Sequence, residues 1–144
     1  MKERGFTLIE MILTVGILGL LAGLSMPVYQ SFDNRNELDI TTQSLASALR
    51  RAQVYARSGH SDSGWGVEIQ STAATLFRGA SFAGRDSAYD EVTTISQSTA
   101  VTGISEVLFA KLSGTPSTTG NVIFTNTNNE TRTVTINAKG MVSY

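Results

Sequence analysis

Residues 6–28 read FTLIEMILTVGILGLLAGLSMPV, and Glu10 is the only ionisable side chain among them. A helix of about 20 apolar residues crosses the hydrocarbon core of a bilayer, whereas the apolar core of a cleavable secretory signal is about 7–15 residues long. The sequence therefore predicts a transmembrane helix over residues 6–28. Lys2 and Arg4 precede this run, so the positive-inside rule predicts a cytoplasmic N-terminus and an exported C-terminal part.

Two features at the start of this run are unusual for a plain anchor. Glu10 lies just inside the apolar segment, where an ionised carboxylate requires a cation to offset its desolvation. Gly5 is followed directly by Phe6, a small residue before a large one at the border of charged and apolar sequence. Cleavage between them would create an α-amino group one helical turn from Glu10. In a helical bundle, we expect that amine to meet the Glu10 carboxylate of a neighbouring copy.

The sequence Gly5-Phe6-Thr7-Leu8-Ile9-Glu10-Met11 resembles the class III signal of type IV pilins and pseudopilins. The resemblance implies a leader at residues 1–5, cleavage after Gly5 by a prepilin peptidase and N-methylation of Phe6. It also implies that Glu10 acts in subunit docking and that Pro27 kinks the helix. The alternative is an ordinary single-pass anchor that carries the same string.

Three glycines, Gly16, Gly19 and Gly23, punctuate the apolar helix. One interpretation is close packing of helices in a filament core, since bare backbone allows helices to approach. The other is the general abundance of glycine in membrane helices. The sequence leaves both open.

Residues 29–144 have the length of one globular domain. Apolar residues recur at steps of three and four between residues 36 and 57, which predicts an amphipathic helix. Small and polar residues at 57–64 predict its end. Alternating β-branched and apolar residues predict strands at 65–70, 73–78, 91–96, 102–109, 121–126, 131–137 and 141–144, with loops at 79–90 and 112–120.

These elements predict an α+β fold in which one long N-terminal helix, its first half transmembrane, packs on an antiparallel β-sheet over residues 65–144. A sheet with one apolar face needs a covering layer. Val122, Phe124, Val134 and Ile136 are expected to form that face, because they alternate along two neighbouring strands. The turns at Asn126–Glu130 and Lys139–Gly140 predict a meander.

The globular half resembles the minor pseudopilins called general secretion pathway protein H and the related fimbrial protein T. The segments that carry this resemblance are Ser44–Ala56, Trp65–Val67, Thr131–Ile136 and Gly140–Val142. The resemblance implies a type IV pilin fold and a structural role in the periplasmic pseudopilus of a type II secretion system. It implies as partners a prepilin peptidase, other pilins or pseudopilins, an inner-membrane assembly platform and, before assembly, membrane lipid.

The alternative function is a minor pilin of a type IV pilus that contacts DNA during uptake. Arg50, Arg51 and Arg57 would form the basic stripe, since residues seven apart share a helix face. The formal net charge of −1 and the lack of interleaved aromatic residues favour a solvated helix face instead.

Catalytic and metal-binding functions have little support in the composition. The chain has no cysteine and one histidine, so thiolate sites and multi-histidine metal shells are excluded. Asp86, Asp90 and Glu91 lie close together in a predicted loop, but their spacing matches no calcium motif. We therefore predict no metal and no cofactor.

A hydrolase is equally unsupported. Ser58, His60, Ser61 and Asp62 include the residue types of a catalytic triad, but triad members converge from separate elements. We predict that the protein is not an enzyme. Trp65, at the start of a strand and flanked by glycines, is predicted to be a core residue.

Overall fold

The computed structural model describes residues 5–144, except for the side chains of residues 24–28, 30 and 31. Helix α1 spans Leu8–Arg57 without interruption and is followed by a short 3-10 helix at His60–Asp62. The chain divides into two compact units, Met1–Asp33 and Asn34–Tyr144. Helix α1 therefore contributes its first half to one unit and its second half to the other.

The first unit consists of the apolar half of α1, in which every large apolar side chain from Phe6 to Leu21 is exposed. The sequence predicts that residues 6–28 cross a membrane. Among the residues that the structure describes, no helix is long and apolar enough to do so. Residues 1–4 of the predicted leader at residues 1–5 lie outside the described part of the chain, and so does the side chain of Pro27. The proline kink stays a prediction.

The second unit combines the other half of α1 with eight strands in two antiparallel sheets. The strands are β1 (Trp65–Ile69), β2 (Ala73–Arg78), β3 (Asp86–Thr94), β4 (Ala100–Gly103), β5 (Glu106–Phe109), β6 (Gly120–Thr125), β7 (Thr131–Ile136) and β8 (Val142–Ser143). One sheet has the order β3-β2-β1-β5 and the other β4-β6-β7-β8. This α+β architecture fits the pilin fold that the resemblance implies.

One hydrophobic core joins α1 to the inner faces of both sheets. The helix contributes a stripe of buried residues at Leu38, Leu45, Leu49, Ala52 and Ala56, spaced as an amphipathic helix requires. The predicted sheet face is confirmed, because Val122, Phe124, Val134 and Ile136 are all buried in this core. The predicted helix end at Arg57 and the hairpin around Ser71-Thr72 are confirmed as well.

The prediction of a loop over residues 79–90 was wrong at its C-terminal end, because β3 begins at Asp86. Its first residues are polar and gave no alternating apolar signal. Tertiary contacts hold them instead: Asp86 pairs with Arg78 of β2, and the Arg78 guanidinium lies 4.5 Å from the Tyr89 ring centroid. The ring of Tyr89 also meets that of Trp65 edge-on at 6.1 Å.

The prediction of one strand over residues 102–109 was also wrong, and with it the prediction of a single sheet. The chain leaves β4 in one sheet at Gly103 and enters β5 in the other at Glu106, with only two residues between the strands. Gly103 has φ of +109°, and a Cβ built there would lie 2.1 Å from the carbonyl oxygen of Asn121. Only glycine allows this close backbone approach, so the crossover between sheets depends on it.

Candidate functional site

The predicted cleavage junction lies in an open segment ahead of the helix. Residues 5–7 precede α1 without regular structure, and the Phe6 side chain is 82% exposed. A Cβ built on Gly5 would meet no atom within 4 Å. Packing within the described chain therefore gives no reason for glycine at this position.

Glu10 and Thr7 together cap the N-terminus of α1. The backbone N–H and the hydroxyl group of Thr7 each donate to Glu10 Oε2 at 3.4 Å, and the Glu10 N–H donates to Thr7 Oγ1 at the same distance. Because α1 begins at Leu8, Thr7 is the N-cap and Glu10 the third helical residue, the arrangement of a capping box. The carboxylate also lies at the positive end of the helix dipole.

The capping box refines the prediction for Glu10. The position of Glu10 in the apolar run predicted a cation from outside its own helix. The contribution of Thr7 was not predicted, although the Thr-x-x-Glu spacing is present in the sequence. At 3.4 Å these hydrogen bonds are long, and they leave the exposed carboxylate able to accept further donors. The cap and the predicted intermolecular pairing would therefore use the same side chain.

The helix that follows is apolar on all sides. From Phe6 to Leu21 its large apolar residues are between 49% and 82% exposed. A Cβ built on Gly16, Gly19 or Gly23 would meet nothing within 4 Å. An exposed apolar surface of this extent is typical of a segment that lipid or another protein covers. The glycines are open positions on that surface.

The three arginines of the predicted basic stripe have different surroundings. Arg51 Nη1 donates to Glu91 Oε2 at 2.5 Å, and Arg50 Nη2 donates to the carbonyl oxygen of Val142 at 3.0 Å. A Cβ built on Gly114 would lie 2.2 Å from Cγ of Arg57, so the aliphatic part of Arg57 lies against that glycine. Each arginine thus has its own contact within the unit.

The three acidic residues considered for calcium each face an arginine. Besides the pairing of Glu91 with Arg51, Asp86 lies 3.7 Å from Arg78 and Asp90 lies 2.7 Å from Arg85. Within residues 5–144, no group of three histidine, cysteine or acidic side chains is placed to hold a metal ion.

The residues considered for hydrolysis lie at the end of α1 and contribute to packing and charge pairing. His60 stacks against Tyr55 and Trp65, with ring centroids 5.1 Å and 5.6 Å away. Asp62 forms an ion pair with Lys111. The hydrogen bond from Lys111, with its charge, holds the pKa of the Asp62 carboxyl below its ordinary value. Trp65 is buried, as predicted, and its indole N–H donates to the carbonyl oxygen of His60 at 3.0 Å.

A set of polar contacts that sequence reasoning missed holds α1 where it enters the globular unit. Arg35 donates through Nε to Glu130 at 2.6 Å, and Arg132 donates to Asp39 at 2.7 Å. The hydrogen bond from Arg35 is the main cause that lowers the pKa of Glu130. These pairs join residues more than ninety positions apart, so no local pattern announces them.

Comparisons with known proteins agree with the N-terminal geometry. Residues 1–26 match the prokaryotic N-terminal methylation motif. The pilin-like protein PilA1 of Thermus thermophilus is 45% identical over 56 residues, which cover 39% of this chain and 35% of that protein. A fimbrial protein of Pseudomonas aeruginosa is 38% identical over 50 residues, covering 35% of this chain and 32% of the relative.

The type IV major alpha-pilin of Moraxella bovis is 33% identical over 45 residues, covering 31% of this chain and 28% of that protein. The chain thus spans about a third of the length of the curated relatives it matches. No solved structure matches. The motif and these relatives support placement of the chain in the type IV pilin superfamily. They also support its assembly with other pilins in a filament.

Proposed function

We propose that this chain is a filament subunit that is made as a precursor, cleaved after Gly5 by a prepilin peptidase and N-methylated at Phe6. Before assembly, the apolar half of α1 anchors the subunit in the inner membrane with the globular unit in the periplasm. An inner-membrane platform then moves the subunit into the filament, where neighbouring copies of α1 replace lipid. The role is structural and requires no cofactor.

The observation that carries this proposal is the difference in burial along α1. The large apolar side chains from Phe6 to Leu21 are exposed, whereas Leu38, Leu45 and Leu49 are buried in the unit's own core. Burial of apolar surface contributes about 25 cal/mol per Å². Burial of an apolar helix that is exposed on every side, against lipid or another protein, is therefore strongly favourable. Filament packing supplies that cover from the corresponding helices of neighbouring subunits.

Within this proposal, Glu10 pairs with the α-amino group of Phe6 of a neighbouring subunit. The capping box offers a competing explanation, in which Glu10 serves only its own helix. Glu10→Gln separates the two, because glutamine completes a capping box but carries no negative charge. We expect Glu10→Gln and Glu10→Ala subunits to be processed normally and to enter filaments at less than about a tenth of the parent level, as loss of a charge pair worth about 1.4 kcal/mol or more predicts.

Thr7→Ala is the matched control, since it removes the cap hydroxyl and keeps the charge. We expect these subunits to assemble almost as the parent does. Filament incorporation is measured by shearing, pelleting and immunoblotting, with N-terminal mass spectrometry to verify processing. Assembly of Glu10→Gln at the parent level, together with failure of Thr7→Ala, would assign Glu10 to capping alone and refute the pairing.

The more specific role that we propose is a minor pseudopilin of a type II secretion system, acting in a short periplasmic filament. Its support is the resemblance of Ser44–Ala56 and Thr131–Ile136 to general secretion pathway protein H. The second candidate is a minor pilin of a type IV pilus, favoured by the names of the relatives, which are pilins and fimbrial proteins.

Deletion of the gene distinguishes the two roles. Loss of secreted enzymes from the culture medium with intact twitching motility supports the pseudopilin. Loss of surface pili or of natural transformation, with normal secretion, contradicts it and supports the pilin.

A further inference from the structure

A groove opens on the globular unit where helix α1 faces the last residue of the chain and the outermost strand of one sheet. It has a volume of about 460 Å³ and is lined by α1 together with Thr93 of β3 and Tyr144, which directly follows β8. The α1 residues include the small Ser44 and Ser47, which leave room above the helix. All of these residues belong to the unit Asn34–Tyr144.

The strand on one side of this groove has an unpaired edge. β3 is hydrogen-bonded to β2 and lies at the end of its sheet. Just after β3, the Ile95 N–H donates to the carbonyl oxygen of Thr72 at 2.8 Å. Because backbone groups alternate in direction along an antiparallel ladder, the N–H and C=O groups of Thr94 and Val92 point away from β2. No strand within residues 5–144 pairs with that side of β3.

The charged side chains that line the groove are both arginines, Arg50 and Arg51. Arg50 donates to the carbonyl oxygen of Val142 and its guanidinium lies 5.3 Å from the ring centroid of Tyr144, and Arg51 donates to Glu91. A guanidinium group has five N–H donors, so both retain donors for a further acceptor. Carboxylates are the acceptors that pair best with this planar group.

We propose that this groove binds an extended, carboxylate-bearing segment of a partner protein, which adds as a new strand beside β3 and places its carboxylates against Arg50 and Arg51. The free edge of β3 recognises peptide backbone, and the arginines select side chains. A nucleic acid would offer phosphates to the arginines, but it has no peptide N–H and C=O groups to pair with Val92 and Thr94. The edge therefore favours a peptide ligand.

The test uses the position of Tyr144 in the groove. The full chain is extended after Tyr144 by a flexible glycine-serine linker of about ten residues and the segment Thr-Val-Glu-Val-Glu-Thr, which the tether holds at an effective concentration in the millimolar range. Amide hydrogen exchange is then measured on the detergent-solubilised protein. We expect exchange at Val92 and Thr94 to slow by about tenfold or more relative to the unextended chain.

Two altered extensions and one pair of substitutions serve as controls. An extension with prolines at alternate positions has no N–H groups to donate to the carbonyl oxygens of Val92 and Thr94, so it cannot complete the ladder and should protect their amides far less. An extension with lysine in place of glutamate keeps the backbone but should protect several-fold less, because like charges meet. In the chain with the glutamate extension, Arg51→Gln should weaken protection, whereas Arg57→Gln, outside the groove lining, should leave it unchanged.

Three results would overturn the proposal. The first is unchanged exchange at Val92 and Thr94 with the glutamate extension. The second is equal protection with the proline extension. The third is that the unextended chain binds a single-stranded DNA oligonucleotide, that Arg51→Gln abolishes this binding, and that no extension protects β3. This result would assign the groove to nucleic acid.

Discussion

The two halves of helix α1 are both rich in apolar residues, yet they have opposite surroundings. In the first half, Leu13 and Leu18 are exposed, as are all the large apolar residues around them. In the second half, Leu45 and Leu49 are fully buried, while Ile40 and Val54 on the other side of the helix are exposed. The content of apolar residues is therefore a poor guide to burial within one chain.

The arrangement of apolar residues around the helix, rather than their number, decides which part of it is buried. A stripe that repeats every three or four residues fits one core, and the rest of the surface stays in solvent. A helix that is apolar on all sides has no polar face to expose to solvent. A single small domain cannot bury the whole circumference of such a helix. Burial of the first half would require apolar contacts on every side, whereas the second half is buried on one face by the sheets of its own unit.

The largest expected effect follows from truncating a leucine in each half. Leu49→Ala leaves a cavity in the core and should lower the free energy of unfolding by about 2–5 kcal/mol. Urea unfolding of the protein in mild detergent measures this, and the fluorescence of Trp65, the single tryptophan and a buried one, reports it.

Leu18→Ala is the matched variant in the first half, where the side chain is exposed. We expect its unfolding curve to coincide with that of the parent, with any defect confined to filament assembly. The comparison of the two halves fails if Leu18→Ala lowers the midpoint as much as Leu49→Ala does.

A smaller effect is expected from adding a methyl group to a glycine in each unit. Gly103→Ala forces a Cβ toward the Asn121 carbonyl oxygen at a φ of +109°, and such strain costs about 1–3 kcal/mol. Gly19→Ala meets open space in the helix, where alanine is favoured over glycine by up to about 1 kcal/mol. The same fluorescence measurement should detect destabilisation by Gly103→Ala alone, and an unaffected Gly103→Ala variant would contradict the close approach.

The smallest effect concerns the ion pair that holds α1 as it enters the globular unit. The hydrogen bond from Arg35 lowers the pKa of Glu130 in the folded protein. The contribution of this hydrogen bond to the free energy of unfolding is therefore present above the ordinary glutamate pKa of about 4.3. It is lost as the pH falls through the pKa of Glu130 in the folded protein. Thermal unfolding between about pH 7 and pH 3 should show Glu130→Gln less stable than the parent at neutral pH, with the two melting temperatures converging in acid.

Glu68 provides a contrast with the opposite sign. Burial, followed by the charge of Glu106 on the neighbouring strand, raises the pKa of Glu68, and the charge of Arg85 opposes this. The parent is then most stable relative to Glu68→Gln below the ordinary glutamate pKa, and it loses that advantage as the pH rises through the raised value. Equal pH responses of Glu68→Gln and Glu130→Gln would contradict the opposite pKa shifts assigned to the burial of Glu68 and to the hydrogen bond from Arg35 to Glu130.

Much of the fold could be predicted from local patterns. The end of α1 at Arg57, the hairpin around Ser71-Thr72 and the buried pairs on β6 and β7 all follow from periodicity and turn residues. The start of β3 at Asp86 could not be predicted in this way, because its first residues are mostly polar and show no apolar alternation. They are held by ion pairs of Asp86 with Arg78 and of Asp90 with Arg85. The capping box is an intermediate case, readable from Thr7 and Glu10 but overlooked beside the apolar run.

The amino-acid sequence alone accounts for the different apolar patterns of the two halves of α1, the motif at the start of the helix and the alternation of strands after it, because each depends on residues within a few positions of one another. Only the tertiary structure decided that the strands divide into two sheets at Gly103, that Arg35 meets Glu130, and that Arg50 and Arg51 line a groove beside β3. These features depend on how far-separated segments approach, and the free energy of such contacts is not encoded in any local pattern.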